Sequence, residues 1–320
     1  MSNYPQTLAE FERQFRSEAA CREYLFRLRP EFQCKHCCHG KAWEMRSGKF
    51  ECASCGYQAS LTAGTIFQDS HQPLRIWFQA VWYVTNQKTG TSALGLQRAL
   101  GLRSYQTAWT MLHKLRRAMV RPDRSKLKGR VEVDETFWGA SEEAPGRGAQ
   151  RKALIAIGAE EDGEGIGRIR LSRIPNASAV HLRGFVMNSI EAGSVVHTDG
   201  WNGYGDWLVP DYTHEVSILK GKKNVATELM PRVHRVASLL KRWLMGTHQG
   251  AVSHEHLDDY MDEFTFRFNR RTSRSRGLLF YRLLEQAVTT GSVPYKALVK
   301  DVRGNRKGGS NTTGSGCLRQ

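Results

Sequence analysis

VEVDETFWGA, residues 131–140, sets two β-branched residues, Val131 and Val133, in front of the adjacent carboxylates Asp134 and Glu135. Alternation with period two is a strand pattern, and neighbours on a strand point to opposite faces. The segment therefore reads as a strand with Asp134 near its end and Glu135 facing away from it. Ala153-Leu154-Ile155-Ala156-Ile157 and Arg168-Ile169-Arg170-Leu171 follow as further strands. The glycine- and acid-rich stretch Glu160–Gly167 between them predicts a hairpin turn. Ser178 to Ile190 carries Val180, Leu182, Phe185, Val186 and Ile190 at helical spacing. Ser194–Thr198 is a short buried strand that ends at Asp199, and 232–245 and 254–269 read as helices. Strands alternating with helices predict a mixed α/β domain.

Isolated acids at strand ends stand out because the chain is strongly basic. Its 320 residues hold 47 Lys+Arg against 31 Asp+Glu, a net charge of +16, and the sequence pI is about 9.7. Such a surplus points to a polyanion, most simply nucleic acid, or else to dispersed lysines with no such partner. The length suits two or three domains. Forty per cent apolar residues and eight tryptophans suffice for a packed core. No apolar run of about 18 residues marks a membrane span, and the polar, acid-interrupted start MSNYPQTLAEFERQF is not a secretory signal.

Asp134 and Asp199 sit at strand ends that one sheet can bring together. Paired carboxylates can hold two Mg²⁺ ions about 3.5–4 Å apart, which activate a nucleophile and stabilise the leaving oxygen of a phosphodiester. Strand-end turn caps are the other reading. A third element is the helical segment 233–241, where Val233, Val236, Ala237 and Leu240 form the apolar stripe. His234 and Lys241 are seven apart, about two turns, and share a face. Lys241 can hold a DNA phosphate while His234 faces the metals; alternatively, His234 is a partly buried structural residue.

The cysteines are paired. Cys34-x-x-Cys37 and Cys52-x-x-Cys55 have 14 residues between the pairs. Each C-x-x-C turn points two thiolates at one ion, and four soft donors make a tetrahedral Zn²⁺ site. The intervening GKAWEMRSGKFE reads as a hairpin turning at Ser47-Gly48. His36, Cys38 and His39 crowd the first pair, but the spacing favours the four cysteines. Reduced, metal-bound cysteines imply an intracellular protein.

The remaining organisation follows from periodicity. Residues 1–30 form a helical segment with Leu8, Phe11, Phe15 and Ala19 in one stripe, the zinc ribbon spans 31–60, and 61–119 is helical. Pro73 opens a helix carrying Leu74, Trp77, Phe78, Val81 and Trp82. Thr91 or Ser92 caps a helix bearing Leu94 and Leu96 to Leu100, Gly101 breaks it, and Ser104 caps the next. Two short helices around a glycine turn read as a helix-turn-helix or as a plain helical hairpin. In the first case Arg103, Tyr105, Gln106 and Thr107 face a DNA groove. Residues 120–130 form a basic linker, 131–290 the catalytic domain, and 303–320 a disordered basic tail rich in Gly, Ser and Thr. Arg267, Arg270, Arg271, Arg274 and Arg276 suit a DNA backbone track or form a solvated basic face. Trp138, Trp201 and Tyr204, near the acids, are candidates for stacking on a frayed base or for the core.

Taken together, Cys34 to Cys55, SLTAGTIF (60–67), PLRIWFQAVW (73–82), GLQRALGLRSYQTAWTMLHKLRRAM (95–119), VEVDETFWGA, VVHTDGWNGY (195–204), VHRVASLLKRWLMGTHQG (233–250) and YMDEFTFRFNRR (260–271) carry a resemblance. Over roughly residues 5–285 the chain resembles a bacterial insertion-sequence transposase of the DDE superfamily, of the group with an N-terminal zinc ribbon. The resemblance implies a multidomain α+β protein: zinc ribbon and helix-turn-helix, then an α/β ribonuclease-H-like core with a mixed sheet. It implies Asp134 and Asp199 as the first two metal-binding acids, His234 at the position of the third, and Lys241 as the basic residue seven further on. Glu at the third position is the superfamily's usual choice, so Glu135 or Glu263 becomes a candidate for the missing charge. Glu263 pairs equally well with Arg267 one turn on. The implied activity is cleavage of terminal inverted repeats and strand transfer with Mg²⁺ or Mn²⁺, by a homo-oligomer on double-stranded DNA in the bacterial cytoplasm, at the nucleoid. A non-catalytic, domesticated zinc-ribbon DNA-binding protein and a structure-selective nuclease are the rival functions.

Overall fold

The computed structural model describes residues 4–29, 31–121, 123–139, 152–205, 208, 211–217 and 229–300. They form two compact units, one from Met1–Met119 with Arg274–Gln320 and the other from Val120–Ser273.

The first unit opens with helices α1 (Leu8–Gln14) and α2 (Glu18–Leu28). The single stripe expected from Leu8 to Ala19 is cut in two, because the Ser17 hydroxyl accepts the Ala20 N–H at 3.2 Å and starts a new helix. Phe11 and Phe15 are buried as expected, whereas Leu8, ahead of the break, is exposed. Strands β1 (Ala42–Glu44) and β2 (Lys49–Cys52) form the expected antiparallel hairpin, with Gly48 at φ +75° in the turn. A third strand, β3 (Gln58–Ser60), pairs with β2. Helix α3 (Leu74–Asn86) follows Pro73 and has no side-chain cap of its own. Instead, the Glu18 carboxylate on α2 accepts the N–H groups of Leu74 and Arg75 at 2.7 and 2.9 Å.

Helices α4 (Ala93–Leu100) and α5 (Tyr105–Ala118) are capped by Ser92 and Ser104 and separated by Gly101 at φ +63°. That left-handed residue lets the Leu102 N–H reach back to the Gln97 carbonyl at 2.9 Å, a glycine C-cap. Leu94, expected in the buried stripe, is exposed, and Ala93 and Leu96 take the inner face.

The second unit comprises β4 (Arg130–Trp138), β5 (Ala153–Asp162), β6 (Gly165–Ile174), α6 (Ala179–Ser189), β7 (Val195–Thr198), a 3₁₀ turn (Asn202–Tyr204), β8 (Thr213–Val216), α7 (Pro231–His248) and α8 (Leu257–Phe268). Helices α9 (Arg276–Thr289) and α10 (Tyr295–Lys300) then belong to the first unit. Phe280 of α9 stands within 5.9 Å, centroid to centroid, of Phe11, Phe15, Phe78 and Trp82. The segment 274–290, read from sequence as part of the catalytic domain, thus packs among the N-terminal helices; an apolar stripe declares burial but not its partner. Segment 303–320, read as a disordered tail, lies outside the described residues.

The five-stranded sheet has the order β6-β5-β4-β7-β8. Its β4–β5 and β5–β6 pairs are antiparallel, and β4–β7 and β7–β8 are parallel, so the sheet is mixed. The β5–β6 hairpin is longer than expected. Glu160–Asp162 and Gly165–Gly167 join the strands, and only Gly163, at φ +56°, and Glu164 make the turn. One face packs on α6 through Val131, Val133, Val196, Leu182 and Phe185. The other packs on α7 and α8 through Ile155, Ile157, Val233, Val236 and Phe264.

Helix α7 is held to β4 by one buried acid. Pro231 occupies its first turn and no side chain of the helix caps it. Glu132, fully buried on β4, accepts the N–H groups of Arg232 and Val233 on Oε2, both at 2.8 Å, and the Arg232 guanidinium on Oε1 at 3.0 Å. A carboxylate at this end of a helix also complements the macrodipole. Glu132→Ala would leave the Arg232 and Val233 amides without their acceptor, while the Arg232 guanidinium keeps Glu161 and the Gly163 and Gly165 carbonyls, and should cost about 2–3 kcal/mol in a denaturant titration. Glu132→Gln keeps an acceptor oxygen and should cost less; equal stability of the Ala variant and the parent would remove Glu132 from this role.

Candidate active site

Asp134 lies on β4 opposite Ile157 of β5, and Ile157 belongs to the core under α7 and α8. Cross-strand partners share a face, so Asp134 points to the α7 side. The β4–β7 register pairs Glu132 with His197; carried on by two residues, it sets Asp199 beside Asp134. His234, in the first turns of α7, brings Nδ1 to 3.7 Å from Asp134 Oδ2, with both side chains partly open to solvent. Burial pushes the Asp134 carboxyl above the usual aspartate range. A backbone hydrogen bond at Glu135 and the charges of His234 and Lys241 oppose that rise, and the Asp199 charge adds to it. Asp134, Asp199, His234 and Lys241 therefore share one electrostatic neighbourhood. Asp199 also serves its own turn, since its Oδ1 accepts the Trp201 N–H at 3.0 Å.

Glu135 pairs with Ala156, whose side chain lies in the α6-side core. It thus faces away from Asp134, as strand alternation requires, yet remains coupled to the site. Its carboxylate accepts the hydroxyl of the buried Tyr204. Burial pushes the Glu135 carboxyl up to about 7, Tyr204 pulls against this, and the charges of Asp134 and Asp199 reinforce it. The Tyr204 hydroxyl is itself driven well above the tyrosine range by burial and then by Glu135. The sequence offered Tyr204 only as an aromatic; its polar end is what connects it to the acids. Trp138 is likewise buried, in the α7–α8 core, and Trp201 is exposed.

Glu263 is buried on α8, and its Oε1 accepts the Arg267 Nε at 2.8 Å, an ion pair one turn apart. Arg270 lies over the Phe266 ring and Arg271 over Phe268, both at 4.1 Å. Arg271 also donates to the Gly167 carbonyl at 3.2 Å, tying the end of α8 to β6. Arg103, Tyr105 and Gln106, at the start of α5 in the first unit, are exposed.

A second acidic group, Glu132, Glu161 and His197, is close enough to hold an ion. Arginines occupy it instead: Arg130 reaches Glu161 at 2.5 Å and the His197 Nδ1 at 3.2 Å, and Arg232 reaches Glu132 and Glu161. Burial and then Arg130 hold His197 below the usual histidine range. The group is an ion-pair network.

The cysteines converge in the first unit. All four sulfurs lie within 4.8 Å of one another, with Cys34 to Cys55 at 3.6 Å and Cys37 to Cys52 at 3.5 Å. Four thiolates about 2.3 Å from a zinc ion stand roughly 3.8 Å apart, so the cluster can hold zinc. The N–H groups of His36 and Ser54 point at Cys34 and Cys52 sulfurs at 3.4 Å each, and Gly56 turns at φ +70°. Burial works against ionising Cys34, but hydrogen bonds from the Cys37 and His36 backbone and from Cys55 and Cys52 bring its thiol down to about 6. His36 instead stacks on Tyr57, with ring centroids 6.2 Å apart. Among the described residues no helix is long and apolar enough to cross a membrane.

Residues 126–269 match the ISXO2-like transposase domain family. The chain is also 26% identical over 235 residues to an uncharacterized protein in transposable element ISH50 of Halobacterium salinarum, covering 68% of this chain and 78% of that protein. The matched domain spans both aspartates, His234 and Lys241.

Two measurements test this geometry. Purified protein should carry one zinc ion, lost in Cys34→Ser or Cys52→Ser; unchanged metal content would overturn the four-cysteine site. For Glu135 the sign is fixed by its raised value. An acid whose folded pKa exceeds the ordinary 4.5 stabilises the fold fully below about 4.5 and loses that contribution as pH rises through about 7. In metal-free buffer, the Tm of the parent should therefore fall relative to Glu135→Gln over that window and run parallel above it. Parallel curves throughout would show that Glu135 titrates normally.

Proposed function

We propose that this chain, which resembles an insertion-sequence transposase of the DDE superfamily, binds the terminal inverted repeats of its element and carries out metal-dependent strand cleavage and strand transfer. The observation that carries the reading is the proximity of Asp134, Asp199 and His234 on the α7 side of a mixed sheet, inside the segment that matches a transposase domain. The strand order, antiparallel on one side of β4 and parallel on the other, supports a ribonuclease-H-like core.

The donor set fits a hard cation. Asp134 and Asp199 offer carboxylate oxygens from neighbouring strands, and burial lifts the Asp134 carboxyl above its usual range, an effect to which the Asp199 charge adds. Mg²⁺ or Mn²⁺ held by these two residues would supply charge that activates water and neutralises the leaving oxygen. His234, with Nδ1 3.7 Å from Asp134 Oδ2, would complete the site with a ring nitrogen. Lys241, on the same face of α7, holds a DNA phosphate. In the first step a water oxygen bonds to phosphorus and the bond to the 3′ oxygen breaks, leaving a 3′-hydroxyl on the element. That hydroxyl then attacks a target phosphodiester in line, and the target's own 3′ oxygen leaves. No covalent bond to the protein is formed. Joining two ends requires at least two copies of the chain.

The zinc ribbon and the α4–α5 pair supply end binding. Arg103, Tyr105 and Gln106 at the exposed start of α5 are the proposed groove contacts, which assigns a helix-turn-helix role to the pair. Arg267 in the last turn of α8 and Arg270 and Arg271 just after it are the proposed backbone contacts, Arg267 from within its pair with Glu263. The setting is the bacterial cytoplasm, at the nucleoid.

Strand cleavage and joining on labelled terminal-repeat DNA tests the assignment. Asp134→Asn and Asp199→Asn should each lower both steps by roughly 10³-fold or more while DNA binding persists. His234→Ala should lose activity and His234→Glu should retain part of it. Normal turnover in either Asn variant removes that aspartate from the site, and a parent that binds but never cuts is a DNA-binding protein only.

A further inference from the structure

We propose that Trp201 is a stacking platform for one unpaired nucleobase next to the phosphate held at Asp134 and Asp199, an assignment that rests on the transposase reading above. Three aromatic residues lie near these acids, and the fold separates their roles. Trp138 is 9% exposed and Tyr204 1%, both inside apolar cores, with the Tyr204 hydroxyl given to Glu135. Trp201 is 54% exposed.

That exposure comes with fixed placement. The indole N–H donates to the Ala177 carbonyl at 2.9 Å, and the Trp201 backbone N–H donates to Asp199 Oδ1 at 3.0 Å. A Cβ on Gly203 would fall 2.8 Å from the indole Cδ1 and Nε1 and 2.7 Å from the Ala177 carbonyl oxygen. Glycine at 203 therefore makes the space in which the indole edge sits. An apolar ring kept in water at this cost, pinned by its polar edge and ordered during folding, is prepared to bind a flat apolar partner without further loss of freedom.

Chemistry narrows the partner. The indole is held by the Ala177 carbonyl, and the backbone N–H of the same residue binds the Asp199 carboxylate that is proposed to hold the scissile phosphate's metal, so whatever covers the ring adjoins that phosphate. In nucleic acid the flat group beside a phosphate is a base. A base inside a duplex already has its faces stacked, so only a frayed or extruded one offers a face. Stacking on an aromatic side chain tolerates any base, so the platform takes a position at the DNA end rather than a sequence.

The test uses the full chain and a forked duplex carrying the terminal repeat that flanks its gene, with 2-aminopurine as the unpaired nucleotide beside the cleavage position. Binding is read by anisotropy and stacking by 2-aminopurine fluorescence. The parent should quench the fluorophore several-fold, Trp201→Phe should quench it partly, and Trp201→Ala should leave it bright. Trp201→Ala should also weaken forked DNA about tenfold or more while leaving fully paired repeat DNA unchanged. Gly203→Ala, which displaces the indole but keeps it, should lose part of the quenching. Equal fluorescence in the parent and Trp201→Ala, with both bound, overturns the platform even if the parent cleaves. Trp201-dependent quenching by a parent that does not cleave with Mg²⁺ or Mn²⁺ upholds the platform and removes the transposase reading. A parent that binds neither DNA overturns both.

Discussion

The docking of α7 on β4 through Glu132 is the constraint on which the site depends. Asp134 is fixed by the sheet, but His234 reaches it only if α7 begins at the right height and turn. Proline starts the helix without a side-chain cap, so its early amide groups need an acceptor from elsewhere. Glu132, two residues before Asp134 and on the same face of the strand, supplies it. The first amide bonds of α7 and the acid opposite His234 are thus measured from one strand, and the 3.7 Å separation of His234 from Asp134 follows from that shared reference. The same device recurs in the other unit, where Glu18 receives the opening amides of α3 behind Pro73.

Much of this was legible in the sequence because it rests on local rules. The alternation around Val131 and Val133 gave the strand and sent Asp134 and Glu135 to opposite faces. Paired cysteines gave the four-sulfur cluster that can hold zinc, and Ser92, Gly101 and Ser104 gave the ends of α4 and α5. Long-range choices were not legible. Nothing in the periodicity of 276–289 says that it packs on Phe11 and Trp82. The three-residue strand Gln58–Ser60 is too short to show a period. Glu132 reads as an ordinary charged residue between valines, and its burial becomes intelligible only once Arg232 and the α7 amides are seen around it.

The strongly basic composition gains a finer meaning from these contacts. Several arginines that contribute to the surplus are occupied inside the protein: Arg130 and Arg232 neutralise Glu161 and Glu132, and Arg267 neutralises Glu263. Each such pair places a guanidinium where it stiffens the sheet or a helix, and a buried carboxylate would be untenable without it. The excess charge then available to DNA is carried by other residues, Arg103 at the exposed start of α5 among them.

The acids at the site behave differently, and this bears on the histidine. Asp134, Asp199 and Glu135 already act on one another across β4, and the Glu135 carboxyl rises to about 7 in consequence of burial and of its two neighbours. A fourth carboxylate at position 234, where His234 Nδ1 stands 3.7 Å from Asp134 Oδ2, would raise this repulsion further. Histidine there lowers it, since His234 acts on Asp134 in the opposite sense to Asp199. On the proposed function, part of the charge that an acid at 234 would have given the metals would come from the far face of the strand, from Glu135, whose ionisation a dication held by Asp134 and Asp199 would favour. The exchange of an acid for a histidine then changes which residue answers the metal's charge, while the geometry set by Glu132 stays the same.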